Sequence, residues 1–369
     1  MKIVPFELER SQSTWENQVE INLSESGVHP LSVGELLGDD AERARAMDIA
    51  LGYPQTNGTI PLRAAIASLY PGATPDHVHV TNGGSEANFC ATWSLLEAGD
   101  HVIMMAPNYM QTWGLAKAFT GAVQTWPLRE DGRRWGVDLD ELASMLSDRT
   151  RLLLICNPNN PTGACFDAAT LDEICRLAGR HGTWVLSDEI YRGAELSGEQ
   201  TPSVWGRYER AIVTSGLSKA YGLPGLRIGW IVGPPPLVAD TWAHHDYTSI
   251  APGAVNDRLA TLALEPARRT RILERTRAII RANFPPLAAW LSERPSRFTF
   301  VPPQAGAIVY ARYLQPFNST QLTTRLREEK GVLMVPGDHF GMDGYLRIGF
   351  GGPARDLFEG LSRLEEVMG

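Results

Sequence analysis

The sequence predicts an α/β fold: a mainly parallel sheet flanked by helices, joined to a smaller α+β unit. Over the first two thirds of the chain, short apolar runs alternate with amphipathic stretches of helical period, which is the pattern of strand–helix–strand units. Polar or glycine-rich clusters follow directly on several of those runs, where sheets of this kind gather their ligands. After about residue 255 the alternation gives way to longer helical patterns and isolated strands.

Along the chain, strands are expected at 77–81, 101–106, 151–157, 183–188, 211–215 and 228–232, with helices at 85–96, 138–146 and 168–180 among them. The clusters Thr81-Asn82-Gly83-Gly84-Ser85, Ala106-Pro107-Asn108-Tyr109, 157–163 and Asp188-Glu189-Ile190-Tyr191 each follow a strand and should line one edge of the sheet. Beyond residue 255, helices are expected at 257–264 and 268–284, the second interrupted or ended by Pro285-Pro286. A strand at 307–312, a helix at 319–330, strands at 332–335 and 345–350 and a last helix at 353–368 complete the chain. The segment 21–37 is expected to pack with this smaller unit or to cross the cleft.

A chain of 369 residues suits two domains. Its formal charge of −8 and lack of a basic block argue against a nucleic-acid partner. No apolar run reaches membrane-spanning length, and the first residues lack the apolar core of a signal peptide. Cys90, Cys156, Cys165 and Cys175 form no Cys-x-x-Cys pair, so we expect reduced thiols in a cytoplasmic protein. His244-His245-Asp246 has no further ligand at metal spacing. His77 and His79 alternate along a strand and should share an exposed face; the arginines between Arg268 and Arg281 should form a solvated face or meet a partner subunit.

The densest chemical signal is Ser215-Gly216-Leu217-Ser218-Lys219-Ala220-Tyr221-Gly222-Leu223-Pro224-Gly225-Leu226-Arg227. A lysine just past a strand can form a Schiff base with an aldehyde, and an arginine beyond it can hold a phosphate, two needs of pyridoxal phosphate. Gly83-Gly84-Ser85-Glu86-Ala87 opens a helix; it reads as a phosphate cradle or as a plain N-cap. Asp188 ends a strand and needs a partner when buried; a protonated pyridine nitrogen would serve, and a helix N-cap is the alternative. Asn157-Pro158-Asn159-Asn160-Pro161-Thr162-Gly163 reads as a turn, with Asn160 and Tyr191 as candidate donors to a ring oxygen.

Taken in order, Asn-Pro-x-Asn-Pro-Thr-Gly, Asp-x-x-Tyr and the family's Ser-x-Lys with a later arginine, here with Leu217-Ser218 immediately before Lys219, resemble the class I/II aminotransferases, fold-type I enzymes related to aspartate aminotransferase. The resemblance covers nearly the whole chain. It implies a large domain over 46–265 built on a mainly parallel seven-stranded sheet, and a small domain from 1–45 and 266–369. It implies pyridoxal phosphate held by Lys219, with Asp188 on the pyridine nitrogen and Asn160 and Tyr191 on the ring oxygen. Tyr109 would stack on the ring; Gly84, Ser85, Ser218 and Arg227 would surround the phosphate, with Glu86 of the same helix start among the cofactor contacts. Tyr53 would reach the phosphate of a neighbouring subunit, implying a homodimer with shared sites. Arg347 would clamp the substrate carboxylate, with Gly27 and Asn160 nearby; a surface arginine on an edge strand is the other reading of Arg347.

One departure stands out. The family has a hydroxyl residue three before the lysine, where this chain has Gly216, and Ser215 is one place further back. The implied activity is transfer of an amino group from an L-amino acid to a 2-oxo acid. The same site would also serve a lyase, cyclase or oxidase acting on an arginine-like amino acid. The segment Leu23-Ser24-Glu25-Ser26-Gly27-Val28-His29-Pro30 is similar to the matching part of capreomycidine synthase, a relative that cyclises a hydroxyarginine. Glu25 could receive a cationic side chain there or be an exposed loop acid.

Overall fold

The computed structural model describes residues 3–369. A short first strand, β1 (Ile21–Asn22), precedes the eight strands of the central sheet: β2 (Val78–Thr81), β3 (His101–Ala106), β4 (Val123–Glu130), β5 (Trp135–Val137), β6 (Thr150–Cys156), β7 (Trp184–Asp188), β8 (Ala211–Gly216) and β9 (Gly229–Val232). Their spatial order is β2-β9-β8-β7-β6-β3-β4-β5. β9 lies antiparallel to β2 and β8, and β5 folds back antiparallel on β4; the other pairings are parallel. The seven strands from β2 to β4 make the expected mainly parallel sheet, and β5 adds a hairpin at its edge.

The middle strands are legible because helices cover both their faces. β8 is buried at every residue and β6 at all but one, so both read as unbroken apolar runs. β4 carries only Trp126 and Leu128 inward and contains Pro127, which hides its strand character. The flanking helix Ala168–Gly179 starts where the Asp167 side chain accepts from the backbone N–H of Thr170. Helix Gly84–Leu95 packs on β8 and β9.

The C-terminal part holds β10 (Phe298–Phe300), β11 (Ile308–Tyr313), β12 (Val332–Leu333), β13 (Val335–Pro336) and β14 (Tyr345–Gly349). Four of them form an antiparallel sheet in the order β10-β11-β14-β13, while β12 pairs in parallel with β1. The expected strand at 332–335 is thus two strands serving two sheets. The N-terminal segment joins this unit: Ile21, Leu23 and Val28 share one core with Leu322, Leu326 and Leu361.

Three expectations are corrected. Helix Pro266–Ser292 runs straight through Pro285-Pro286. Each interior proline costs about 3 kcal/mol, but Ile280, Leu287 and Leu291 on either side are fully buried, and burial of each stabilises by about 1.5–3 kcal/mol. The same helix gives Ile272 and Leu273 to the large core and Ile280, Leu287 and Leu291 to the small one. Several of its arginines are tied to the rest of the chain while Arg271 stays exposed: Arg277 donates to Gly193 O and Glu195, and Arg281 to Leu196 O and Ser197 O. His79 is buried, bonded to Thr241 Oγ1 at 3.0 Å and to His245 Nδ1 at 3.1 Å, because β2 is covered on both faces; His77 sits in the 3₁₀ turn before it.

Among the described residues no group of potential ligands could hold a metal ion, and no helix is long and apolar enough to cross a membrane. All four cysteines are free, three of them buried.

Candidate active site

The carboxyl ends of the parallel strands open on one cleft of about 290 Å³, roofed by the N-terminal helix Glu7–Trp15 and the loop after β1. Lys219 enters it three residues past the end of β8. Its Nζ lies 2.7 Å from Glu25 Oε1. Burial pushes the ammonium pKa down, as expected, but the Glu25 carboxylate and Tyr191 together more than offset this and the net shift is upward. Burial alone would raise Glu25; Lys219 and the Gly27 N–H hold it at about 2.

Asp188 ends β7 with its carboxylate in the cleft. It accepts from Asn88 Nδ2 at 3.0 Å and from the Ile190 N–H at 3.1 Å, and burial raises its pKa. Neither partner is a cation, so a protonated heterocycle would complete the pairing. Asn88 escaped the sequence reading. Its side chain is aimed by Thr214 Oγ1, which donates to Asn88 Oδ1 at 2.6 Å. The only sequence signal is its place one turn beyond Gly84 on the same helix.

Tyr191 is buried, and its hydroxyl donates to Ser26 Oγ at 2.8 Å; burial pushes its pKa up to about 12. Tyr109 lines the cleft and donates to Glu9 Oε1 at 2.8 Å. Asn160 accepts from Arg347 Nη1 at 2.9 Å, leaving its amide N–H groups as donors. Arg347 is 1 % exposed on β14, between β11 and β13, which overturns the reading of a surface arginine on an edge strand. Its Nη2 donates to Ser24 O at 2.5 Å, while its Nε has no partner. Arg347 lines the cleft, and a buried guanidinium there is prepared for an anionic ligand group.

Gly84, Ser85, Ser218 and Arg227 also line the cleft. Gly83 has φ 94°, and a Cβ there would come within 2.3 Å of Arg227 Nη2, so only glycine lets the arginine close over the helix start. That cradle of N–H groups, guanidinium and helix N-terminus fits a phosphate. Gly216 accounts for the departure noted above: a Cβ there would lie 2.8 Å from Ile228 O. Ser215 donates to Glu189 O at 3.2 Å and does not line the cleft.

One expected contact is not made, and Tyr53, expected at the phosphate of a neighbouring subunit, lies outside this chain's own cleft. The Glu86 side chain does not line the cleft; its carboxylate accepts from the Asn82 N–H at 2.6 Å and from Ser249 Oγ at 2.7 Å, and lies 3.1 Å from His245 Nε2. Its place on the first helical turn was right, but the side chain points away and pins the loop behind the cradle. Tyr53 is 86 % exposed and borders a separate hollow with Leu51 and Pro54. Gly27 sits beside the cleft, its N–H donating to Glu25 Oε1 at 2.8 Å. Glu9, Gln12 and Glu16 line the cleft without having been singled out in the sequence, because nothing in the local pattern of the first helix says which face it turns inward.

These residues therefore fit pyridoxal phosphate, with a phosphate cradle, a buried carboxylate and a lysine in one cleft. Known proteins agree. The model of the family "Aminotransferase class I and II" matches residues 26–364. Capreomycidine synthase of Streptomyces vinaceus is 34% identical over 365 residues, 95% of this chain and 90% of that protein. An aspartate aminotransferase of Streptomyces avermitilis is 30% identical over 332 residues, 86% of this chain and 81% of that protein. The crystal structure of a PLP-dependent aminotransferase from Streptococcus suis superposes with a TM-score of 0.92 at 32% identity, covering 100% of this chain and 98% of that one. The chain belongs to the class I and II aminotransferase family of fold-type I, pyridoxal phosphate-dependent enzymes.

Proposed function

We propose that the protein moves an amino group from an L-amino acid to a 2-oxo acid, with Lys219 as cofactor-bearing lysine and proton shuttle. The observation that carries this reading is the convergence of Lys219, Asp188 and Arg347 on one cleft from three separate parts of the chain. Bound pyridoxal phosphate supplies an electron sink for negative charge at the substrate Cα. Asp188 keeps the ring nitrogen protonated. Gly84, Ser85, Ser218 and Arg227 hold the phosphate, and Asn160 and Tyr191 donate toward the ring oxygen. Tyr109 covers the ring. Arg347 orients the substrate carboxylate so that the Cα–H bond faces Lys219, whose freed amine takes that proton and returns it. Glu86 is left out of the cofactor contacts.

The large unit over 46–265 and the small unit from 1–45 and 266–369 would flank this cleft. The site would be completed by a second copy. Tyr53, Leu51 and Met47 are each more than 80 % exposed, as is Tyr247, and apolar side chains gathered this way mark an interface. Tyr53 would then serve the partner's phosphate.

A second reading, a lyase or cyclase of the kind represented by capreomycidine synthase, draws on Glu25, which stands within hydrogen-bond reach of the lysine and could pass protons of its own. The test is a panel of amino acids added to the holoenzyme, with cofactor absorbance and ammonia followed together. Transamination converts the cofactor to its amine form without ammonia; retention of the aldehyde form while the amino acid is consumed would establish the second reading, with ammonia released by an eliminating lyase and none by a cyclase. Lys219→Ala should lose turnover by about 10³-fold or more while still binding the cofactor non-covalently. Turnover of that variant at the parent rate would overturn both readings.

A further inference from the structure

We infer that the substrate carries a cationic side chain, received by Glu9, Glu16 and Glu25; the inference rests on reading the cleft as a pyridoxal phosphate site. Glu9, Gln12 and Glu16 project into the cleft from one side of the N-terminal helix and its C-cap, at spacings that share a helix face. Gln12 Nε2 donates to Ser24 O at 3.0 Å and to Ser24 Oγ at 3.1 Å, which fixes that face against the loop bearing Glu25.

The charges lining the cleft do not balance without such a ligand. The cations are Lys219, Arg227 and Arg347; the carboxylates are Asp188, Glu9, Glu16 and Glu25. With cofactor and substrate in place, Asp188 faces the ring nitrogen, Arg227 the phosphate and Arg347 the substrate carboxylate. Lys219, covalently engaged or acting as a neutral base, no longer answers Glu25. Three carboxylates are left without a cation. Glu9 is fixed by the Tyr109 hydroxyl at 2.8 Å, and Glu25 by the Ser26 and Gly27 N–H groups, each at 2.8 Å. Burial, together with the Glu25 and Glu9 carboxylates close by, raises the pKa of Glu16. Arg347, 1 % exposed and with one nitrogen unpartnered, lines the same cleft and independently marks it as a ligand site. With the α-carboxylate on Arg347, the substrate's far end is left for the carboxylates. An ammonium or guanidinium there relieves the repulsion; an acidic side chain adds to it, and an apolar one desolvates the carboxylates with no return.

The experiment compares L-arginine and L-ornithine with L-citrulline, the neutral counterpart of arginine, and with L-glutamate, by the concentration that half-saturates the absorbance change of the holoenzyme. Arginine or ornithine should half-saturate at least about tenfold below citrulline, a difference of about 1.4 kcal/mol, and the gap should narrow as salt is raised. Glu16→Gln and, separately, Glu9→Gln should each shrink the cationic-to-neutral ratio severalfold, with parent cofactor absorbance certifying the fold. Citrulline or glutamate acting as well as arginine, or a ratio untouched in both variants, overturns the inference. If neutral or acidic amino acids change the absorbance and cationic ones do not, the substrate class fails and the cofactor reading stands. If no amino acid changes it, the cofactor reading itself fails.

Discussion

Arg347 concentrates the physics of the site in one buried side chain: two nitrogens committed to Asn160 and Ser24 and a third left without a partner. Charge-assisted bonds of this kind contribute about 1.5–3 kcal/mol, so Arg347→Lys should raise the KM for the amino-acid substrate on the order of 10–100-fold, with cofactor affinity as the control. The Glu25–Lys219 pair gives a pH signature in the cofactor-free protein. Glu25 is held at about 2 against 4.5 unfolded, so its contribution is present above pH 4.5 and is lost as pH falls toward 2. Lys219 is raised above 10.5, so its contribution is present below pH 10.5 and is lost as pH rises through the folded value. The difference in urea midpoint between the parent and Glu25→Gln should therefore be constant from about pH 5 to 10 and shrink on both sides; a difference that persisted at pH 2.5 would remove the pair as its cause. The lysine and Asp188 were legible because each follows an unmistakable apolar strand. Glu9 and Glu16 were not, because a helix face becomes a cleft wall only when another element is placed across from it.

At the scale of elements, the strand-to-helix turn after β2 decides whether an anion can be held. Gly83→Ala places a side chain at φ 94° and against Arg227. The backbone strain is about 1–3 kcal/mol, so cofactor affinity should drop on the order of 10–100-fold, read by equilibrium dialysis of pyridoxal phosphate; unchanged affinity would mean that the cradle is elsewhere. This turn was readable as glycines between a strand and a helix, but not the direction of Glu86, whose carboxylate turns back to the Asn82 N–H, Ser249 and His245. The long helix shows the opposite failure. Local propensity at Pro285-Pro286 predicts a break, and burial of Leu287 and Leu291 beyond it overrides that propensity.

For the whole molecule, the proposed homodimer follows from what one copy leaves uncovered. Sedimentation equilibrium of the holoenzyme should give twice the mass of a single chain, and Tyr53→Ala should weaken phosphate retention without touching the cleft of its own chain. An active monomer would refute the shared site. The sequence by itself determined the strand–helix alternation, the cofactor class and the order of the residues that serve it, because each of those is written in contiguous residues: a run of apolar side chains, a glycine turn, a lysine at a fixed remove. Tertiary structure alone decided that Arg347 is buried with one nitrogen free, that Glu25 meets Lys219, and that Glu9 and Glu16 line the same cleft. The Glu25–Lys219 and Asn160–Arg347 contacts join positions 194 and 187 residues apart, and their charges are felt only once folding has removed the intervening water.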